Sequence, residues 1–355
     1  MDSAAFPNRF LSFHTVVFRI PSMIQRFKKN IKKRPLVWFY VFSILIEVCI
    51  IPILIFTDAQ NGLLKGFEKS GLQFNTDLVT AFRVVFAAPE AFLGIFLSLV
   101  QVAAVDVAVF LIAIAYGQQG FATLKARFRF WRKDIFWYRG LRVWGVCILT
   151  FSAMNLATAA LNKLLLTEKE FGWHIDFFSI VFLFKFLVAM FLDAGGLFEE
   201  NGWRGFALPL LQSRFSPLKA SIILGLMWFA WHIPVKVDTF FYGIGNAIAI
   251  FSILMIKFVL LSIIMTFFFN RVGGTTIIAI AMHGLSNDSV RLGGEIFSDS
   301  TKVYLLTEIN LVIPMIVVAI GLILKTKGRL GFRTGCDMRC SLHPAGLAGL
   351  SQQPQ

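Results

Sequence analysis

Reactive side chains in this 355-residue chain concentrate in three short stretches. The first is Phe198-Glu199-Glu200-Asn201-Gly202-Trp203-Arg204-Gly205. Neighbouring side chains on a helix point about 100° apart, so the two carboxylates can hold different roles. Glu200 and Arg204 are four apart with the acid first, the order that favours an ion pair on one face. Glu199 has Trp203 at its own i+4 position and no intrahelical cation. A carboxylate against apolar surface is a stronger base and suits deprotonating a water. The second stretch is Trp228-Phe229-Ala230-Trp231-His232-Ile233-Pro234, in which Pro234 is expected to end or kink a helix. The third is His283-Gly284-Leu285-Ser286-Asn287. His283 and Asn287 share a helix face, and Gly284 leaves room for another backbone.

Taken singly, each stretch has an ordinary explanation: an acidic helix end, a hydrogen-bonded core histidine, a polar helix-packing face. Together they make a plausible hydrolytic set. Glu199, helped by His232, could deprotonate a water. His283 and Asn287 could donate hydrogen bonds to the oxyanion formed at an attacked amide. Glu199, His232 and His283 could equally hold a metal, since imidazole and carboxylate suit zinc. No cofactor is obligatory from the sequence, and zinc stays open. A turn expected near Ser213-Arg214-Phe215-Ser216-Pro217 brings the first two stretches together. Glu200 and His232 lie roughly 20–25 Å along a helix from that turn on either side, so an antiparallel hairpin sets them side by side.

The elements that must position these residues are membrane helices. Apolar residues make up 57% of the chain and charged residues only 15%, too little charge for a soluble domain of this length. Runs long enough to cross hydrocarbon are expected near 36–57, 91–116, 143–161, 176–197, 219–235, 247–269, 274–290 and 303–324. The predicted fold is an all-α membrane protein, a polytopic bundle of about eight transmembrane helices. The predicted organisation is a basic cytoplasmic segment over 1–35, a membrane domain over 36–324 and a cytoplasmic tail over 325–355. The catalytic core is expected at about 176–290. The run 36–57 lacks a small-residue cleavage site and is expected to be retained as the first span. The final residues, Ser351-Gln352-Gln353-Pro354-Gln355, form no prenylation signal.

The net charge is +14. Its distribution assigns it to membrane topology. Lys28, Lys29, Lys32, Lys33 and Arg34 crowd the N-terminal segment, and Lys125, Arg127, Arg129, Arg132 and Lys133 crowd 117–142. The intervening loops on the other side are poor in base, which puts both termini in the cytoplasm. The expected partners are therefore membrane lipids and a peptide or protein substrate, with no nucleic acid. The segment 117–142 also carries Phe128, Phe130, Trp131 and Trp137 and reads as interfacial. Cys49 and Cys147 lie in apolar spans, and Cys336 and Cys340 lie in the tail. Their spacing suggests neither a disulfide framework nor a zinc knuckle.

The three stretches resemble the CPBP family, the CAAX proteases and bacteriocin-processing enzymes also called the Abi group. That family shows Glu-Glu-x-x-x-Arg, Phe-x-x-x-His and His-x-x-x-Asn on separate membrane helices. Glu199, Glu200 and Arg204 match the first pattern, and His283 and Asn287 match the third. The second departs, because Trp228 stands four before His232 where the family has Phe; an aromatic is kept, so packing is expected to change more than chemistry. The resemblance covers about 176–290. It implies an intramembrane endopeptidase acting on a membrane-associated, possibly lipidated, protein or peptide. Glu199 then looks like the water-activating residue and His232 its partner. His283 and Asn287 look like the oxyanion donors, with Glu200 and Arg204 organising the site. Both a metal-dependent and a metal-free glutamate mechanism are argued for the family. Some relatives give immunity to bacteriocins, so a non-catalytic immunity or scaffold role is the alternative. A proton-relaying transporter is a third reading, favoured by Lys185 and Lys257 inside spans. Short loops fit a bacterial cytoplasmic membrane.

Overall fold

The computed structural model describes residues 12–332 apart from 176, 178, 289 and 299. Cys336, Cys340 and most of the expected C-terminal tail lie outside the described residues. The chain runs α1 (Ser12–Lys33), α2 (Pro35–Phe56), α3 (Ala59–Ser70), α4 (Leu78–Ala87), α5 (Phe92–Val102), α6 (Ala104–Tyr116), α7 (Gln118–Arg127) and α8 (Trp137–Leu165). It continues through α9 (Ile180–Phe191), α10 (Ala194–Gly202), α11 (Leu208–Gln212), α12 (Pro217–His232), α13 (Ile244–Arg271), α14 (Thr276–Asn287) and α15 (Thr301–Thr326). The only sheet among the described residues pairs β1 (Phe171–Gly172) with β2 (Glu295–Ile296), antiparallel.

The chain is an all-α, multi-pass membrane bundle. α2, α8, α13 and α15 are each long and apolar enough to cross a membrane. Two bent helix pairs pass the same length and apolarity test when each pair is taken together, as a broken span or a re-entrant loop: Pro89–Val102 with α6, which meet at 54°, and α12 with Pro234–Tyr242. Pro234 stands at the second break, as its missing N–H and fixed φ require. The expected spans at 176–197 and 274–290 are occupied differently. α9 and α14 have 12 residues each. Each reaches only about 18 Å, short of the roughly 30 Å of hydrocarbon. Among the described residues four helices are long enough to cross, or up to six spans if each bent pair is one span, where the sequence suggests about eight. Val37, Leu45, Ile55 and Phe56 on α2 and Val317 and Leu324 on α15 stay exposed, as a lipid-facing surface requires.

Local sequence explains the breaks that matter for the site. Asp193 ends the apolar run of α9 and caps α10, its carboxylate accepting the Gly196 N–H at 2.8 Å. After α10 the helix widens into a π-turn over Trp203–Ala207. Pro209, one turn on, cannot donate to the Gly205 carbonyl, which relaxes the α-helical ladder there. Ser216 and Pro217 start α12, and α11 and α12 form the expected hairpin. α14 approaches both α10 and α9 closely through glycines. A Cβ at Gly196 would lie 2.7 Å from the Ile280 carbonyl oxygen, and one at Gly284 would lie 1.9 Å from that of Ala189. Small residues permit such backbone contact between membrane helices. Asp106 on α6 fixes the other end of α10, accepting from the Asn201 amide at 2.7 Å and the Gly202 N–H at 3.0 Å.

Candidate active site

Glu200 is fully buried and is the hub of the polar cluster. Its Oε1 accepts from Arg204 at 2.6 Å and from His283 Nδ1 at 2.8 Å. The expected i,i+4 pair is therefore present, and it reaches across to α14. The Arg204 guanidinium also lies over the Trp228 ring, 4.2 Å from its centroid, where the ring's negative face meets the cation. His283 meets the same indole edge-on at 5.1 Å.

Glu199 lies beside this hub, 4% exposed. Its Oε2 accepts two indole N–H groups, from Trp203 at 3.1 Å and Trp228 at 3.0 Å. This corrects two expectations. Glu199 does not lie against bare apolar surface, because its aromatic neighbours present their polar edges. Trp228 in place of Phe changes chemistry as well as packing, since only an indole can donate that bond. The hairpin register also differs slightly: Trp228 meets Glu199, and His232 sits one turn beyond. His232 Nδ1 faces the Trp228 carbonyl at 2.9 Å, and its ring packs on Phe258 at 4.4 Å.

Asn287 faces α10 as His283 does, but its partner is Asp193. Its Nδ2 lies 3.0 and 3.1 Å from the two Asp193 oxygens. The free ends of the imidazole and the amide converge on Gly195. A Cβ there would lie 2.5 Å from His283 Nε2 and 3.3 Å from Asn287 Nδ2. Gly195 thus keeps open a space that both nitrogens border.

Glu199, His232, His283 and Asn287 line one cavity of about 750 Å³. Its walls mix polar residues of α8 with apolar residues of α13 such as Leu254, Phe258 and Leu261. Lys257, also on that wall, pairs with Glu308 at 2.8 Å. Lys185 lines a separate cavity on the α9 side. Glu47 of α2 adds a further buried carboxylate. Neither of its oxygens has a hydrogen-bond partner among the described residues, and it interacts electrostatically with Glu199.

A zinc ion needs several ligand atoms within about 2.0–2.3 Å of one point. Among the described residues no three His, Cys, Asp or Glu side chains are so arranged. Each imidazole has its Nδ1 engaged, His283 by Glu200 and His232 by a main-chain carbonyl, which leaves Nε2 as the atom that could reach an ion. Glu200 also carries the Arg204 cation. As arranged, Glu199, His232 and His283 do not fit a zinc site.

The sequence reading missed Asp193 and Gly195 as parts of the site, and it placed Trp203 beside Glu199 and Trp228 in the second pattern without reading either indole as a donor to Glu199. Asp193 before Ala194-Gly195-Gly196 was a legible helix cap. The i,i+4 spacing of Trp203 from Glu199 was the available signal for one indole, whereas Trp228 reaches Glu199 from another helix.

Comparison with known proteins points to one protease family. Residues 177–288 match the family described as type II CAAX prenyl endopeptidase Rce1-like. A curated relative, CAAX prenyl protease 2 of Methanococcus maripaludis, is 34% identical over 120 residues. That alignment covers 33% of this chain and 41% of the relative, so the chain spans about two-fifths of the relative's length. The family match supports a CPBP (CAAX protease) family domain over 177–288, which holds the whole Glu200-centred cluster, and the relative's name agrees with that family.

Proposed function

We propose that this chain is an intramembrane endopeptidase that cleaves a membrane-associated, lipidated protein or peptide with a water activated by Glu199. One observation carries the reading: Glu199, His232, His283 and Asn287 all border a single cavity inside a helical membrane bundle.

The steps follow from the hydrogen bonds. Two indoles hold Glu199 Oε2, which leaves Oε1 for a water. As the water oxygen attacks the scissile carbonyl carbon, Glu199 takes its proton and the carbonyl oxygen gains negative charge. The carbonyl oxygen sits over Gly195, between His283 and Asn287. Glu200, ionised beside Arg204, only accepts, so His283 Nδ1 carries a hydrogen. As an imidazolium, His283 also donates from Nε2 to the oxyanion. The cluster of Glu199, Glu200, Arg204 and protonated His283 then carries no net charge, which suits its burial. Asn287 gives one amide hydrogen to Asp193, which fixes its orientation, and the other to the oxyanion. Collapse of the intermediate breaks the C–N bond, and Glu199 returns its proton to the leaving nitrogen. His232 orients the water from its own side of the cavity. A lipidated substrate is supported by the relative's name and by the apolar wall of α13.

The test uses the purified protein in proteoliposomes with a library of lipidated peptides, read by mass spectrometry. The wild type is expected to cleave a subset. Glu199→Gln is expected to lose cleavage while keeping its thermal unfolding temperature. Cleavage by Glu199→Gln at the wild-type rate overturns the reading, as does an inert wild type that still confers an immunity phenotype.

A further inference from the structure

The α8 wall of the cavity carries Asn155, Thr158 and Asn162, which share one helix face. Asn155 is 4% exposed and Asn162 3%, on a helix long and apolar enough to span the membrane. Polar side chains in such a helix usually tie neighbouring helices together. Each of these amides does so with only half of its capacity. Asn155 Nδ2 donates to the Leu285 carbonyl of α14 at 2.9 Å. Asn162 Oδ1 accepts from Asn310 of α15 at 2.8 Å. Asn155 Oδ1 and Asn162 Nδ2 have no partner among the described residues, and both residues border the cavity. The wall therefore presents one free acceptor and one free donor.

We propose that Asn155 and Asn162 form a main-chain-binding subsite that holds an extended peptide along α8, beside the reacting groups. Seven residues of helix separate the two amides by about 10 Å. In an extended chain at about 3.3 Å per residue, the N–H of one residue and the C=O two residues on point the same way. Those two groups lie about 9 Å apart, close to the spacing that Asn155 and Asn162 offer. Asn155 is at the catalytic end, because its partner Leu285 lies between His283 and Asn287 on α14. A lipid chain has no groups for these amides to bind, so the polar wall selects main chain. The apolar stripe of Leu254, Phe258 and Leu261 on α13 is left for side chains or a lipid tail.

The subsite rests on the endopeptidase reading, but its test reads binding alone. The Glu199→Gln protein in nanodiscs is titrated with dye-labelled S-prenylated peptides. In one series each amide is replaced in turn by an ester, which removes its N–H. In a second series each is replaced by an alkene, which also removes its C=O. One ester position and one carbonyl position two residues away are expected to weaken binding about fivefold to tenfold. Asn155→Leu is expected to erase the first sensitivity and Asn162→Leu the second. Should either variant fail to fold, the peptide scans on the folded background still decide. Flat scans, sensitivity at unrelated positions or no peptide binding overturn the subsite. Cleavage by the wild type with flat scans refutes the subsite alone. Sensitive scans without cleavage refute the endopeptidase reading alone.

Discussion

Gly195→Ala is a sharp test of the geometry, because it adds one methyl group where the oxyanion is expected. The new Cβ would lie 2.5 Å from His283 Nε2, 3.1 Å from its Cε1 and 3.3 Å from Asn287 Nδ2. Ordinary heavy-atom contacts begin near 3.5 Å, so the imidazole must retreat by about 1 Å. It can swing from Glu200, losing the 2.8 Å bond to Nδ1, or push α14 from α10. The second route is stiff, since Gly196 already sits against the Ile280 carbonyl. A 1 Å misplacement of a reacting group costs on the order of 100-fold in rate, or about 2.7 kcal/mol. Stability should change far less. Overpacking costs about 1–3 kcal/mol, and the gain in helix propensity offsets up to about 1 kcal/mol of it. Gly321→Ala on α15 is the control, since its Cβ would meet open space. It should leave the rate unchanged and stabilise by up to about 1 kcal/mol. The assay is kcat/KM on a lipidated peptide in proteoliposomes, beside thermal unfolding of the same preparations. A folded Gly195→Ala protein with a rate within threefold of wild type would refute the placement of the oxyanion.

Gly284→Ala should be structural, because its Cβ would lie 1.9 Å from the Ala189 carbonyl oxygen and neither backbone can yield. Destabilisation of at least about 3 kcal/mol is expected, seen as loss of the monodisperse peak on size exclusion. Glu200→Gln strands the Arg204 cation in a fully buried site and should cost about 3–5 kcal/mol, read as a lowered unfolding temperature. An unchanged temperature would mean that Arg204 has another counter-charge. Trp228→Phe keeps the ring but removes the 3.0 Å bond to Glu199. A fivefold to tenfold fall in kcat is expected with little change in unfolding temperature, and an unaltered kcat would show that the indole bond does not serve the reaction.

What the sequence disclosed follows from the range of each interaction. Glu200 with Arg204, and His283 beside Asn287, are four-residue relations that helix geometry sets without tertiary knowledge. The hairpin needed only one turn and the rise per residue, and it brought α10 against α12 as expected. The lengths of α9 and α14 were hidden because hydropathy averages over a break. Asp193 looks like one polar residue in the run 176–197, yet it ends one helix and caps the next. The partners that complete the site were hidden for another reason. Asp193 orients Asn287, Trp228 bonds Glu199, and Glu47 faces Glu199 from α2, each from a distant part of the chain.

Those hidden partners share one physical cause. Inside hydrocarbon a polar group without a partner is expensive, so a reactive residue there cannot be installed alone. Glu199 brings two indoles, Glu200 brings Arg204 and His283, and Asn287 brings Asp193. Among the residues that keep atoms free after this pairing, Glu199, His283 and Asn287 border the same cavity. In a membrane bundle, then, a reactive centre is found less by its charges than by what remains unpaired once the charges are satisfied. By that criterion Asn155 and Asn162 belong to the same cavity as Glu199, and the peptide scans and Gly195→Ala probe two ends of one surface.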